Sequence, residues 1–162
     1  MLQENFWEII EQSWLDSSEL YEQRKKAIQN NKEALLEQLS YKLEDVVTKN
    51  YIKRLSELSK ENLTSFIHLL EERMYHIDRK EIHTHTDGSD DGFLYCRCFI
   101  VGMGKAYYNM IDENPSKAKF DLEAEGFGFS AYQVYENLFD EEFDRYSKHS
   151  MESCSNENGW KE

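Results

Sequence analysis

Residues 59–77 read SKENLTSFIHLLEERMYHI and carry the clearest helical period in the chain. The apolar side chains recur at helical spacing, which places them on one face of a helix: Leu63, Phe66, Ile67, Leu70, Met74 and Ile77. Ser59 stands before this period as a candidate N-cap, and Glu61 follows in the first turn, where an acid suits the helix dipole. The stretch predicts a helix over 60–78.

A second apolar period starts at Phe93 and passes through Ile100 and Tyr107. It stops just before Pro115, whose ring disfavours helical geometry in the preceding residue. We therefore expect a helix over 93–112, with its apolar face buried against the face of the first helix.

Weaker periods predict three more helices, over 5–15, 33–49 and 130–146. Only seven glycines and one proline interrupt the 162 residues, and few breakers favour long helices. The expected fold is mainly α: a single-domain irregular helical bundle over residues 1–149, followed by a frayed polar tail over 150–162.

The chain carries 32 acidic and 19 basic side chains, which gives a formal net charge of −13. Nucleic acids and anionic membrane surfaces need a basic footprint, so we expect neither as a partner. No apolar stretch is long enough for a membrane span, and the first residues lack the pattern of a secretory signal. Three cysteines, Cys96, Cys98 and Cys154, leave no complete disulfide framework, which favours a reducing cytoplasm.

The acidic charge is concentrated toward the end of the sequence, where residues 121–162 carry 11 acidic and 3 basic side chains. Aromatic residues are dense in the same region. Acids there would steer a basic protein toward this surface, and exposed rings would anchor it. The predicted partner-binding residues are Tyr135, Phe139, Asp140, Glu141, Glu142, Asp144 and Tyr146. An ordinary solvated face is the alternative interpretation.

The segment from His83 to Asp87 is the candidate for a metal site. In an extended strand, His83, His85 and Asp87 would point to one side, where two imidazoles and a carboxylate could bind a divalent ion. The motif is similar to the openings of two metal hydrolase groups, the polymerase-and-histidinol-phosphatase group and the metallo-β-lactamases. Those enzymes need several more ligands, and His149 is the only histidine that follows. A surface loop without metal is the favoured interpretation.

The next motif, SDDGF, is interpreted as structural. Ser89, Asp90 and Asp91 can offer oxygen acceptors to the unpaired N–H groups at the start of the following helix, and the acids suit its dipole. Gly92 would permit close approach, and Phe93 would plug the core. Adjacent carboxylates rarely reach one substrate atom, so we expect no catalytic residues and no cofactor.

The SDDGF motif is one of several short motifs that occur in order along the chain. The others are FWEII at 6–10, Leu-Ser-x-Glu at 58–61, Asn-Pro-Ser at 114–116 and a tyrosine-rich segment at 132–136. Together they resemble an uncharacterised bacterial family, domain of unknown function 4240, over residues 4–139. The resemblance implies a mostly helical bacterial cytoplasmic protein and leaves its role open. The polar IHTHTDG before the SDDGF motif departs from the family pattern.

Small size, strong acidity and the lack of an evident catalytic set favour a binding protein. The leading hypothesis is an immunity (antitoxin) protein that neutralises a basic toxin, such as a nuclease, by covering its active site. A regulatory or scaffold protein with another partner is the alternative. A metal-dependent hydrolase that uses His83, His85 and Asp87 is a third hypothesis.

Overall fold

The computed structural model describes residues 1 and 3–161, and this part of the chain is helical and contains no β-strand. The helices, numbered in chain order, are α1 Gln3–Leu15, α2 Ser18–Asn30, α3 Glu33–Lys42, α4 Thr48–Ser56, α5 Lys60–His76, α6 Lys80–His83, α7 Asp90–Gly102, α8 Lys105–Glu113, α9 Glu125–Phe139 and α10 Glu157–Trp160. A π-helical turn, Leu43–Val47, joins α3 to α4, and a 3₁₀ turn, Pro115–Lys117, follows α8. The predicted mainly α fold is confirmed.

Two of the predicted helices have different ends in the structure. The helix predicted over 33–49 runs on to Ser56, because the π turn passes the chain into α4 without a break. The helix predicted over 93–112 is two helices, because Gly104 adopts a φ of 95° between them. Glycine is the residue that takes such left-handed values without a steric penalty.

The N-terminal end of α5 and the C-terminal end of α9 are explained by local chemistry. Ser59 caps α5 as predicted, with its Oγ accepting from the Asn62 N–H (3.1 Å). Helix α9 lies earlier than the predicted 130–146 and ends at Phe139, where Asp140 closes it with a left-handed φ of 52°.

Helix α7 lies at the centre of the fold. From Gly92 to Gly102 every residue except Tyr95 is buried, and the helix contacts α5, α8 and α9. A helix buried on nearly all sides must be surrounded by the other elements. The two apolar faces expected to meet are buried in one core: Leu63, Phe66 and Leu70 on α5, with Phe93, Ile100 and Tyr107 on α7 and α8.

Side chains from α1 and α2 satisfy the carbonyl groups at the end of α7. The Trp14 indole donates to the Gly102 carbonyl (2.8 Å), and the Arg24 guanidinium donates to the Met103 carbonyl (3.0 Å). Arg24 is itself buried and pairs with Glu11 through hydrogen bonds of 2.8 and 2.6 Å. A cation is favourable at a helix C-terminus, so these contacts tie the N-terminal helices to the centre of the fold.

The closing segment packs against the helices, which differs from the predicted frayed tail over 150–162. The fully buried Asp78 carboxylate, just after α5, accepts four hydrogen bonds of 2.8–3.1 Å from this segment. The donors are the N–H groups of Cys154, Ser155 and Asn156 and the indole of Trp160. Met151 in the same segment is also buried.

Replacing Asp78 with Asn is expected to lower the free energy of unfolding by about 2–4 kcal/mol. The charge that strengthens the four hydrogen bonds is lost, and the new amide N–H₂ faces other donors. Chemical denaturation followed by circular dichroism measures the change. Asp144→Asn, at an exposed acid, is the control and should change the value by less than about 0.5 kcal/mol. Equal effects of the two variants would contradict the role assigned to Asp78.

Candidate functional site

A groove of about 580 Å³ lies between α3 with its π turn and the segment that leads into α9. One wall is a stripe on a single helical face, because its members stand three or four residues apart: Glu33, Glu37, Tyr41 and Glu44. The opposite wall consists of Phe120, Asp121, Leu122, Glu123 and Glu125. These residues, with Ser40, are called the acidic groove below.

Backbone hydrogen bonds hold the second wall in place. The Asp121 N–H donates to the Thr86 carbonyl, and the Ala124 N–H donates to the Tyr95 carbonyl, each at 3.1 Å. Leu122 is buried between these two points. The wall is therefore a fixed surface that is attached to the core on both sides of its acids.

Glu44 connects the two walls. Its Oε1 accepts a hydrogen bond from the Gly126 N–H (3.0 Å) in the first turn of α9, where the helix dipole favours a negative charge. Burial nevertheless raises the pKa of the Glu44 carboxyl, and the N–H groups of Gly126 and Phe127 only partly oppose that effect. Glu44 belongs to the π turn, a type of distortion that is frequent at functional sites.

The acidic groove has six carboxylates and, among the described residues, no lysine or arginine in its lining. At one end Asp87, Asp121 and Glu123 each bring a carboxylate oxygen within 4.8 Å of the other two. Burial raises the pKa of the Glu123 carboxyl, and the neighbouring Asp121 and Asp87 raise it further. The groove therefore concentrates negative potential that a bound cation would relieve.

Two large exposed rings belong to the lining of the acidic groove, one on each wall. Tyr41 is 63% exposed and Phe120 is 64% exposed, which makes them the most exposed of the large hydrophobic side chains in the described part of the chain. Large apolar side chains left in water beside a concave surface mark a candidate binding site.

The acids of the predicted partner-binding surface follow the end of α9. Asp140, Glu141, Glu142 and Asp144 are all exposed, so they are available to a partner. Glu141 differs from the other three acids because its charge is paired: it forms an ion pair with Lys60, which lowers the pKa of its carboxyl. The other three form the C-terminal acidic cluster.

The rings of that predicted surface are placed differently from the expectation. Tyr135 is buried, and Phe139 and Tyr146 are half-buried. Tyr135 contacts Phe139 and Phe143 with ring centroids 5.1 Å apart in both pairs. These rings pack mostly within the protein, because they join the end of α9 to the segment that follows it through apolar contacts.

The SDDGF motif begins α7. Ser89 Oγ accepts from the Gly92 N–H (3.0 Å), and Asp87 in turn accepts from the N–H and Oγ of Ser89 (2.7 and 2.8 Å). A Cβ atom on Gly92 would lie 2.3 Å from the Asp87 Cγ, so the close approach requires glycine. Phe93 is fully buried. The remaining acids are exposed in the first turn: Asp90 and Asp91.

The extended geometry assumed for the candidate metal site is wrong, because Lys80–His83 is helix α6 and the helical hydrogen bonding continues past it. The His83 ring contacts the rings of Phe93 and Trp160, with centroids 5.1 and 5.2 Å apart. His85 is exposed. Within the described residues, Asp87 meets the carboxylates of the acidic groove rather than the two histidines.

Sequence reasoning does not find the acidic groove. The spacing of Glu33, Glu37 and Glu44 on the polar face of a predicted helix is a signal that could have suggested one wall. The second wall could not be found this way, because nothing in the sequence pairs Asp121 and Glu123 with a helix some eighty residues earlier.

The fold and the site define an all-helical protein with an acidic groove on its surface. The family model described as "Protein of unknown function (DUF4240)" matches residues 1–145, and the chain belongs to this family. The match confirms the resemblance that the short motifs indicated. No curated protein and no solved structure matches the chain. In the described part of the chain, no helix combines the length and apolar character needed to cross a membrane.

Replacing Ser89 with Ala is expected to lower the free energy of unfolding by about 0.5–2 kcal/mol, the range for a lost N-cap. Asp91→Ala should cost less, about 0.3–1 kcal/mol, because Asp91 acts only through its charge at the helix terminus. Urea unfolding measures both variants. A larger loss for Asp91→Ala than for Ser89→Ala would reject Ser89 as the cap.

Proposed function

We propose that this protein is a cytoplasmic immunity (antitoxin) protein that neutralises a basic toxin, such as a nuclease, by covering its active site. The observation that carries the proposal is where the excess acid lies. Six carboxylates line the acidic groove, whose described lining has no lysine or arginine, and the three exposed acids of the C-terminal acidic cluster follow α9. Free cysteines at positions 96, 98 and 154 support a reducing compartment.

A group of exposed carboxylates attracts a basic partner before the two proteins touch. These carboxylates raise the local concentration of a basic protein and orient it, which accelerates association in a salt-dependent way. Asp140, Glu142 and Asp144 form no ion pair within residues 1 and 3–161, so they can pair with a partner's cations, whereas Glu141 must first break its ion pair with Lys60. This favours a role in capturing a basic surface.

A regulatory or scaffold protein with a different kind of partner is the alternative. It would bind its partner without suppressing a toxic activity, so the two functions differ in a growth assay. The geometry gives the metal-dependent hydrolase no support, because in the described residues the His83 ring packs on Phe93, His85 is exposed and Asp87 groups with Asp121 and Glu123.

The direct experiment begins with the genome: we expect a gene for a basic protein beside the gene for this chain, and the absence of one would count against the proposal. Expression of that neighbour alone is expected to arrest growth of a host cell, and co-expression of this chain is expected to restore it. Complex formation measured with the purified proteins should accompany the rescue. Growth arrest that co-expression does not relieve, together with the absence of a complex, would reject the immunity function.

The C-terminal acidic cluster gives a kinetic prediction with the same partner. Reversal of Asp140, Glu142 and Asp144 to Lys is expected to slow association by about tenfold at low salt and by less at high salt, since salt screens exposed charges. Stopped-flow or surface-binding kinetics measures the rates.

The matched control reverses three other exposed acids, Glu19, Glu22 and Glu57, and so changes the net charge equally. Equal slowing by the two triple variants would assign the effect to net charge and would contradict a local steering role for the cluster.

A further inference from the structure

We propose that the acidic groove is the docking site for an extended, arginine-bearing segment of the basic partner. The inference rests on the proposed function and assigns the part of the surface that takes the partner. It places the main contact in the acidic groove, away from the C-terminal acidic cluster that the sequence indicated.

The dimensions of the groove fit a peptide segment better than a single ion. From Glu33 to Glu44 the helical wall is about 16 Å long at 1.5 Å per residue. That length matches about five residues of extended chain. A divalent ion between Asp87, Asp121 and Glu123 would use one end and leave the stripe of α3 without a partner.

The distribution of charge suits an extended chain in particular. Successive side chains of an extended segment point in opposite directions. In the acidic groove, side chains that point either way would face carboxylates: Glu33 and Glu37 lie on one wall, and Asp121 and Glu123 lie on the other. Basic side chains on either face of the segment would therefore find an acid.

The exposed rings favour arginine over lysine. A guanidinium can pair with a carboxylate through two parallel hydrogen bonds and can stack on an aromatic face at the same time. Tyr41 and Phe120 line the acidic groove together with its acids, and their exposed rings supply such faces. A lysine ammonium lacks the planar surface that this arrangement uses.

Two raised pKa values provide a further signature. The carboxyls of Glu44 and Glu123 titrate above their ordinary value of 4.5, mainly because of burial. The acidic groups that face them are Asp45 and Glu125 for the first, and Asp87, Asp121 and Glu125 for the second. A bound cation favours the ionised forms, so binding releases protons. Affinity is therefore expected to fall as the pH is lowered through these raised pKa values.

The test is calorimetric titration of the full chain with a capped synthetic peptide, RRRRR, whose successive side chains face both walls, and its lysine counterpart, KKKKK. The arginine peptide is expected to bind at least about threefold more tightly. Phe120→Ala is expected to remove most of this difference, because it removes a stacking surface. The same titration at a mildly acidic pH, near the raised pKa values of Glu44 and Glu123, in buffers of different ionisation enthalpy should detect the released protons.

Two charge-matched variants locate the site, each with four acids changed to amides. The groove variant carries Glu33→Gln, Glu37→Gln, Asp121→Asn and Glu123→Gln. The control variant carries Glu136→Gln, Asp140→Asn, Glu142→Gln and Asp144→Asn. The groove variant is expected to lose at least about tenfold in peptide affinity and the control less than about threefold. Melting curves check that both variants are folded, and Phe120→Ala tests the groove without changing any charge.

The outcomes separate this inference from the proposed function. If the basic neighbour binds and is neutralised, and only the control variant loses affinity, docking in the acidic groove is wrong while the immunity function stands. If both variants lose peptide affinity equally, the groove is also rejected. Binding of Mg²⁺ or Ca²⁺ that the groove variant abolishes, without any peptide binding, would overturn the inference in favour of a metal site. Failure of both the peptides and the neighbour to bind would reject the inference and the function together.

Discussion

The burial of α7 on nearly all sides is the constraint on which the rest of the structure depends. Helix α7 places Arg97 in the core. Burial lowers the pKa of its guanidinium, and within the described residues no acid forms a direct ion pair with it. Its donors need acceptors, because an unsatisfied buried charge is strongly destabilising. Its two terminal nitrogens find them: the carbonyl groups of Met74 and Met151 accept at 3.0 and 2.9 Å, and the Ser153 hydroxyl accepts at 3.1 Å. The end of the chain must close over α7 for this reason.

The two ends of α7 extend the same constraint to the rest of the chain. At its start, Ser89 and Asp87 form a compact turn that positions Phe93 in the core. At its end, Trp14 and Arg24 reach in from α1 and α2 to carbonyl groups. Satisfying one buried helix therefore fixes elements at both ends of the chain.

The acidic groove is attached to this framework at its critical points. The Ala124 N–H binds the carbonyl of Tyr95 in α7, and Glu44 binds the first turn of α9, which packs on α7. Glu44 is held through its own carboxylate. The wall that carries Asp121 and Glu123 is held by backbone hydrogen bonds that do not involve the charges of its acids. The carboxylates repel one another, and the stability of the core offsets that repulsion. A bound cation would reduce the repulsion and so stabilise this surface.

The sequence by itself determined the helical class, the N-cap at Ser59, the family and much of the core, because these depend on spacing between near neighbours. It could not determine that Asp78 binds a segment 76 residues later, or that His83 packs on rings and Asp87 turns toward Asp121. The sequence also assigned the rings of Tyr135 and Phe139 to an exposed surface. An aromatic residue next to an acid gives the same sequence pattern whether its ring faces solvent or the core. Only the tertiary structure decided which polar face of α3 meets which loop. The physical reason is that long-range contacts are chosen by the packing around α7, which no local period encodes.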